Sequence, residues 1–440
     1  MGYSSYGKKP DELASKSSHS SIISDPEVRK FLSRCKIPQS RCPEKLDLVY
    51  KLNRRKANIR YVIAIDGGFS KAYAQKEFPS SEIAFFQFGI LLLDLESLSK
   101  LEKQPFISPE QISKLKNLER IKFILPVKNI IDDKSSTFSE FVRRTIYEFF
   151  CKEIAGGKLI ETLKWLVFRE FHNPEDSYIL ASHPIIDSSS IPLRRAEMTS
   201  DYLFKSDGYT IYLTDIFRLH EKIDEELGAS SIIRDLLSVI EQLLAVHIIK
   251  FILERKPSAL EDILFLIDRP LAFFGPTAKL HVPMRDLINY LQDKYNLYMV
   301  GLEKSGAFVE HAYELVKADL LKKGEYLLLS NDYIYSNILP GKASEDNIYG
   351  RTTYYSGKLI FHTEDGNINV CSIPVRDSKV ILNPKKSDYK NLEVILTLIE
   401  DLKCNMFDNA ILPIVLANQL VSISSYPSTV VLERFLKNSI

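Results

Sequence analysis

Short apolar runs typical of buried β-strands alternate along this chain of 440 residues with longer helical patterns. Residues 61–70 (YVIAIDGGFS) and 83–96 (IAFFQFGILLLDLE) are apolar, and the second run is long enough to lie centrally in a sheet. A dense apolar helix pattern at 231–254 precedes another strand-like run at 263–275. This alternation predicts an α/β fold in which helices flank a mixed sheet.

The chain divides by composition into a tail, a core and an insertion. Residues 1–25 are rich in Ser and Lys and poor in large apolar side chains, which predicts a flexible tail. The remaining domain, 26–440, is expected to draw its core strands and helices from 55–100 and 231–440. Residues 100–230 mix helical patterns, strand fragments and Ser-rich joints. We therefore expect a large insertion or subdomain between the two halves of the core.

The charge balance and the cysteines exclude several classes of protein. Lys and Arg number 58 against 57 Asp and Glu, which excludes a protein coated with basic residues for nucleic-acid binding. The five cysteines are widely spread and form no CxxC motif, so neither a zinc site nor a disulfide framework is indicated.

No apolar signal segment opens the sequence, and the run at 231–254 carries five charged side chains. We therefore expect a cytoplasmic protein without a membrane span.

Two aspartates close predicted strands. Asp66 follows an apolar run and precedes two glycines, and Asp268 follows another apolar run and precedes Arg269 and Pro270. In α/β sheets, functional groups gather at the carboxyl ends of strands. The alternative is that each aspartate caps a turn, since Asp-Gly is common turn chemistry. Taken singly, each aspartate fits the turn better than a functional site.

Glu241 lies on the apolar face of the helix predicted at 231–254. Burying an unpaired carboxylate costs several kcal/mol, so Glu241 needs a cation or a donor. Arg234, two turns earlier, could supply an ion pair. A metal ion would do so equally well and would also explain Asp66 and Asp268. Carboxylates without His or Cys partners suit Mg²⁺ or Mn²⁺, and such a set is typical of metal-dependent phosphodiester hydrolases.

The order of these motifs resembles the NurA nuclease family. The motifs are IAIDGG, a helix carrying VIEQLLA, then FLIDRPLAFFG and VGLEKSG, and the resemblance covers about residues 55–440, although 100–230 matches nothing that we can name. It implies an RNase H-like core and a DNA nuclease that depends on Mn²⁺ or Mg²⁺. It also implies a homodimer that works with a hexameric HerA-type ATPase/translocase in DNA-end processing or antiphage defence.

Carried over by position, the resemblance implies a role for four residues. Asp66, Glu241 and Asp268 match the metal-binding carboxylates of the family. Lys304, in GLEKS, matches a lysine that could contact a phosphate as a point charge. The alternative for Lys304 is a solvated lysine at the end of a strand.

The last motif departs from the family. NurA proteins resemble one another in a Tyr-Pro-Tyr-Pro helix start followed by Ala-His. The segment AILPIVLANQL has Ala410 and Leu412 for the tyrosines and Asn418 for the histidine. Asn418 could still reach a metal or a water through its amide oxygen, but Asn cannot act as an acid or base. Arg269 also stands where the family prefers Gly.

These departures leave three hypotheses. The first is an active metal-dependent nuclease with catalytic residues Asp66, Glu241, Asp268, Lys304 and Asn418. The second is a catalytically impaired NurA-like subunit that binds DNA or scaffolds the ATPase ring. The third is an unrelated α/β enzyme for a small phosphorylated substrate, although no P-loop or GxGxxG motif follows a strand. The near-neutral charge further predicts weak DNA affinity for the isolated chain.

Two other features have a structural and a functional interpretation. The basic run at 51–60 (KLNRRKANIR) could track phosphates, but such runs are usually solvated surface. Tyr354 and Tyr355 could stack on DNA bases or fill the core, and a core role is favoured.

Overall fold

The computed structural model describes residues 16–35, 43, 45–102, 116–186, 190–404, 410–422 and 428–437. Residues 1–15 of the predicted flexible tail lie outside the described residues. The rest of that segment forms helix α1 (Lys16–Ser24), and helix α2 (Pro26–Arg34) follows it. The side chain of Asp25 accepts hydrogen bonds from the first amides of α2, which is the usual way to begin a helix. Helix α2 buries none of its side chains.

A nine-stranded mixed sheet organises the fold, as the sequence predicts. Its strands are β1 (Val49–Lys51), β2 (Tyr61–Gln75), β3 (Ser81–Asp94), β4 (Lys116–Lys128), β5 (Ile263–Ile267), β6 (Tyr298–Glu303), β7 (Glu325–Leu328), β8 (Ser356–His362) and β9 (Ile368–Pro374). Their order in the sheet is β1-β7-β8-β9-β6-β5-β2-β3-β4. Strand β5 is parallel to both β2 and β6, whereas the other pairs are antiparallel.

Helices flank both faces of this sheet. Those after the N-terminal pair are α3 (Leu95–Glu102), α4 (Phe138–Cys151), α5 (Leu159–Val167), α6 (Ile233–Arg255), α7 (His281–Tyr295), α8 (Ala307–Lys317), α9 (Asn331–Asn337), α10 (Leu392–Asp401), α11 (Leu412–Val421) and α12 (Ser428–Lys437). Helices α4 to α7 share one core with Ile63 and Ile65 of β2. Helices α10 and α11 pack on the other face, against Val62 and Ala64. The alternation of side chains along β2 therefore serves two separate cores.

Helix α6 confirms the helix predicted at 231–254. Together with the turn before it, Ser230–Arg255, it is long and apolar enough to cross a bilayer by length and composition. In the structure it is a core helix, since side chains such as Leu236, Ile240 and Leu243 are completely buried against the sheet.

The prediction that the first strand ends at Asp66 is wrong. Strand β2 continues to Gln75, and its pairing with β3 runs without a break through Asp66, Gly67 and Gly68, which face Gly89, Phe88 and Gln87. The Asp-Gly-Gly sequence therefore forms no turn. The two glycines serve close packing of helices instead, as the site below shows.

The segment before α6 packs onto the same core. Strand β4 belongs to the main sheet through its pairing with β3. Beyond it, residues 129–230 carry α4, α5 and short hairpins that cover α6. Arg143 of α4 is held by Asp215 through a buried two-pronged ion pair, with Nη2–Oδ2 at 2.7 Å and Nε–Oδ1 at 2.9 Å.

The basic run at 51–60 is partly neutralised by α10. Arg54 is paired with Asp401 of that helix, and the Nε of Arg55 lies 2.9 Å from the carboxylate of the buried Glu393. These two arginines thus fasten the segment before β2 to the sheet face that α10 covers.

Candidate active site

Asp66 and Asp268 come side by side where the parallel pairing of β2 and β5 ends. Ile65 pairs with Ile267 in this register, so the next residue on each strand is an aspartate. Both carboxylates are largely buried, Asp66 at 8% exposure and the Asp268 side chain at 9%. The register therefore sets these two aspartates on adjacent strands, although only Asp268 lies at the end of a strand.

Lys304 directly follows β6, the neighbour of β5, and reaches Asp268. Its Nζ lies 2.5 Å from Asp268 Oδ2, and half of its side chain is exposed. Alternation along the strands places Asp66, Asp268 and Lys304 on the same face as Ala64, Leu266 and Leu302, the face that α10 and α11 cover.

Helix α11 approaches this face closely because two glycines leave room for it. A Cβ on Gly68 would lie 2.6 Å from the carbonyl oxygen of Val421, and one on Gly89 would lie 2.7 Å from its Cγ1. Asn418 of α11 is exposed and shares a cavity of about 350 Å³ with Lys304. The structure thus brings Asn418 to the same edge of the sheet as the predicted lysine.

Glu241 reaches β2 from the opposite face. It is 1% exposed on α6, and a Cβ on Gly67 would lie 2.7 Å from its Oε1. The cation that neutralises it is Arg269, whose Nε is paired with Glu241 Oε2. The proposal of Arg234 as the partner is wrong, because Arg234 is exposed at the start of the helix. The sequence showed that Glu241 needs a cation, but it did not show which one.

Burial raises the pKa of both Asp66 and Glu241. Loss of solvent, reinforced by the charge of Asp268, raises the pKa of Asp66 from 3.8 to about 6. Loss of solvent raises the pKa of Glu241 from 4.5 to about 8; Arg269 opposes the rise and the two aspartates add to it. Two carboxylates with strongly raised pKa values in one place are typical of functional sites.

The oxygens of the site fit a hard cation in their chemistry. Glu241 Oε1 and Asp268 Oδ1 are buried and have no hydrogen-bond partner in the described part of the chain, and a buried unpaired carboxylate oxygen is costly. Nevertheless, no group of three or more His, Cys, Asp or Glu side chains among the described residues is arranged to hold a metal ion. Arg269 and Lys304 each occupy one oxygen, of Glu241 and of Asp268 respectively. The role of Asp66, Glu241 and Asp268 as metal ligands stays a prediction.

A second buried ion pair borders the site and was missed in the sequence. Lys358 of β8 is 3% exposed, and its Nζ lies 2.6 Å from the carboxylate of Glu303, next to Lys304. The centroid of the Phe308 ring lies 3.6 Å from the same Nζ. The sequence feature that could have indicated this pair is a lysine at the start of the apolar run KLIFH.

The two adjacent tyrosines of the sequence analysis are both buried. Tyr355 is completely buried and donates a hydrogen bond to Gln242, which confirms a core role for it, while Tyr354 is buried beside Lys358.

Comparison with solved structures finds a likeness over almost the whole chain. The NurA nuclease from Sulfolobus solfataricus aligns over 97% of this chain and 99% of its own, with 10% identity and a TM-score of 0.34. A second NurA structure aligns over 89% of this chain and 90% of its own, with 12% identity and a TM-score of 0.30. The chain is similar to NurA nucleases. No protein-family profile and no curated protein matches the sequence.

Proposed function

We propose that this protein is a metal-dependent deoxyribonuclease that hydrolyses phosphodiester bonds. The observation that carries the proposal is the pairing register of β2 and β5, which sets Asp66 beside Asp268 with Lys304 on the second carboxylate. Glu241, buried behind Gly67, adds a third carboxylate. Oxygen ligands of this kind with a lysine at the rim suit a divalent cation and a phosphate.

Each residue has a separate task in this proposal. Asp66, Glu241 and Asp268 would hold Mn²⁺ or Mg²⁺, which when bound activates a water and stabilises the leaving oxygen. Lys304 is half-exposed and binds a non-bridging phosphate oxygen as a point charge. Asn418 orients a water or the substrate through its amide, because it has no proton to exchange near neutral pH.

The test is cleavage of linear DNA in the presence of Mn²⁺. Asp66→Ala and Asp268→Ala are expected to abolish cleavage. Asp319→Ala is a matched control, because Asp319 forms an exposed surface pair with Lys322. Equal rates for the parent and the two site variants would rule the assignment out.

The resemblance to NurA supplies the proposed partners. DNA is the substrate, the chain forms a homodimer, and a hexameric HerA-like ATPase delivers the DNA in end processing or antiphage defence. The net charge of +1 fits a nuclease that depends on its partner for DNA engagement, since long-range attraction needs a basic surface. Light scattering of the isolated chain and co-purification with a HerA-type ATPase test these two assemblies. A chain that is monomeric alone and does not bind the ATPase contradicts both.

A catalytically impaired subunit is the second candidate. Arg269 and Lys304 already neutralise Glu241 and Asp268, and the amide of Asn418 cannot replace an imidazole as acid or base. This candidate predicts binding of DNA or of the ATPase with no cleavage at any Mn²⁺ concentration. Cleavage that appears with Mn²⁺ and disappears in Asp268→Ala decides against it.

A further inference from the structure

The two cations of the site lie closer to solvent than the carboxylates they neutralise. The side chain of Arg269 is 23% exposed and that of Glu241 is 2% exposed. The same contrast separates Lys304, at 51%, from Asp268, at 9%. Arg269 and Lys304 also line a cavity of about 500 Å³. An anion that arrives from solvent therefore reaches the cations more readily than the carboxylates.

Each of these carboxylates is satisfied on one side only. Glu241 uses Oε2 for Arg269, and Asp268 uses Oδ2 for Lys304. The second oxygen of each, Oε1 and Oδ1, is buried without a hydrogen-bond partner in the described part of the chain. A cation at either oxygen would stand close to the side-chain cation that pairs with the same carboxylate and would be repelled by it.

A phosphodiester relieves this repulsion. Counted in their ionised forms, the three carboxylates and the two side-chain cations carry a formal charge of −1. A divalent cation alone brings the sum to +1, and a phosphodiester brings it back to zero. In a buried site an uncompensated charge is costly, so the balanced state contains both the metal and the phosphate.

We infer that Arg269 is a displaceable counter-ion that couples the binding of a divalent cation to the binding of DNA. The inference rests on the function proposed above. In the free chain Arg269 neutralises Glu241 and opposes the cation. A DNA phosphate, which a guanidinium binds in a two-pronged manner, draws Arg269 away and leaves Glu241 open to the metal. Metal and DNA then tighten each other's binding by the same factor.

The experiment measures Mn²⁺ binding to the full chain, with free Mn²⁺ read from its electron paramagnetic resonance signal. Affinity is determined alone and with a phosphorothioate single-stranded oligonucleotide that resists cleavage. DNA is expected to tighten Mn²⁺ binding by about tenfold or more. In Arg269→Met, Mn²⁺ binds more tightly without DNA, and the gain from DNA falls to about twofold or less. Arg376→Met is the matched control, since Arg376 forms an exposed pair with Asp293, and it should behave as the parent.

Two results would overturn the inference: equal Mn²⁺ affinity with and without DNA in the parent, or a full DNA effect in Arg269→Met. The parent measurement needs no variant, so a poorly folding Arg269→Met does not prevent the test. Arg269→Lys, which keeps the charge without the two-pronged geometry, should retain weak Mn²⁺ binding and show a reduced gain from DNA. Coupling without any cleavage would reject the nuclease proposal alone, whereas cleavage without coupling would reject this inference alone.

Discussion

Gly67 of β2 lies directly against the carboxylate of Glu241, so that a Cβ at position 67 would be 2.7 Å from Glu241 Oε1. The same Cβ would be 2.9 Å from side-chain carbons of Leu237 and Phe88. Glu241 can therefore come this close to β2 only because this strand residue has no side chain. The contact gives the glycine a role in the site rather than in a turn.

Gly67→Ala is expected to displace Glu241 and to lose stability. Overpacking of this kind costs about 1–3 kcal/mol, and the shifted carboxylate should weaken Mn²⁺-induced stabilisation. Thermal unfolding with and without Mn²⁺ measures both effects. Gly68→Ala is the comparison for overpacking away from Glu241: its Cβ would meet the carbonyl oxygen of Val421 on the opposite face, so it should lose stability as well. A Gly67→Ala protein that loses stability and keeps the whole Mn²⁺ response would contradict the placement of Glu241 in the site.

The raised pKa values predict how stability depends on pH. Asp66 and Glu241 hold their protons more tightly in the folded chain, with pKa values of about 6 and about 8 against ordinary values of 3.8 and 4.5. Their contribution to the free energy of unfolding is therefore complete below the ordinary values and is lost as the pH rises through about 6 and then about 8. Melting temperatures between pH 5 and pH 9 should fall less steeply in Asp66→Asn and Glu241→Gln than in the parent.

A divalent cation should reverse this loss. Because a cation binds the ionised carboxylates, the gain in melting temperature with Mn²⁺ should grow from pH 5.5 to pH 8.5. At a concentration of 100 times the dissociation constant, the gain corresponds to about 2.7 kcal/mol. Glu241→Gln and Asp66→Asn should show a smaller gain at every pH. Identical Mn²⁺ responses in these variants and the parent would remove both residues from the metal site.

Part of this site could be predicted from the sequence because it follows from strand order. Each of two apolar runs is followed by an acid, and the parallel pairing of β2 with β5 sets Asp66 beside Asp268, although β2 continues past Asp66. The extent of β2 could not be predicted, because Asp-Gly-Gly is equally compatible with a turn and with an extended strand. What favours the extended strand is the packing of two helices, one against Gly67 on one face of the sheet and one against Gly68 on the other. Both helices are distant from these glycines in the sequence, so local sequence patterns do not show the contacts.

The ion-pair partner of Glu241 could not be predicted from the sequence for a similar reason. Arg234 lies on the same helix as Glu241, so helical spacing favoured it as the partner. Arg269 belongs to the loop after β5 and meets Glu241 only once α6 is packed on the sheet. The sequence shows that Arg269 directly follows Asp268, but the carboxylate that its side chain reaches depends on the tertiary fold.

Lys304 is expected to act on the substrate rather than on folding. Lys304→Met should lower kcat on linear DNA by about 10²–10³-fold, the usual cost of removing a group that stabilises transition-state charge. Its half-exposed side chain predicts little change in melting temperature. The control is Lys322→Met, which removes a lysine from an exposed pair with Asp319. Unchanged kcat in Lys304→Met would leave Lys304 as a solvated lysine at the end of a strand.

The buried pair of Arg143 and Asp215 should hold the segment before α6 in place. Both side chains are about 4% exposed, and removing one partner of a buried pair typically costs about 3–5 kcal/mol. Asp215→Ala should lower the free energy of unfolding by that amount in urea denaturation. Glu197→Ala removes the exposed pair with Arg194 and should cost less than about 1 kcal/mol. Equal losses of unfolding free energy in the two variants would show that the buried pair stabilises the fold no more than the exposed pair does.

A substitution at Asn418 tests whether the lack of an acid–base group at this position limits the proposed nuclease. It is exposed on α11 and shares a cavity with Lys304, so an imidazole fits there without repacking the core. Asn418→His introduces a group that can exchange protons near neutral pH, and acid–base catalysis is typically worth about 10²–10⁴-fold. We expect at least about a tenfold faster Mn²⁺-dependent cleavage, whereas Asn418→Ala, the control that removes the orienting amide without adding an imidazole, should be no faster than the parent. If Asn418→His is no faster than the parent although Asp268→Ala abolishes cleavage, proton transfer at this position does not limit the reaction.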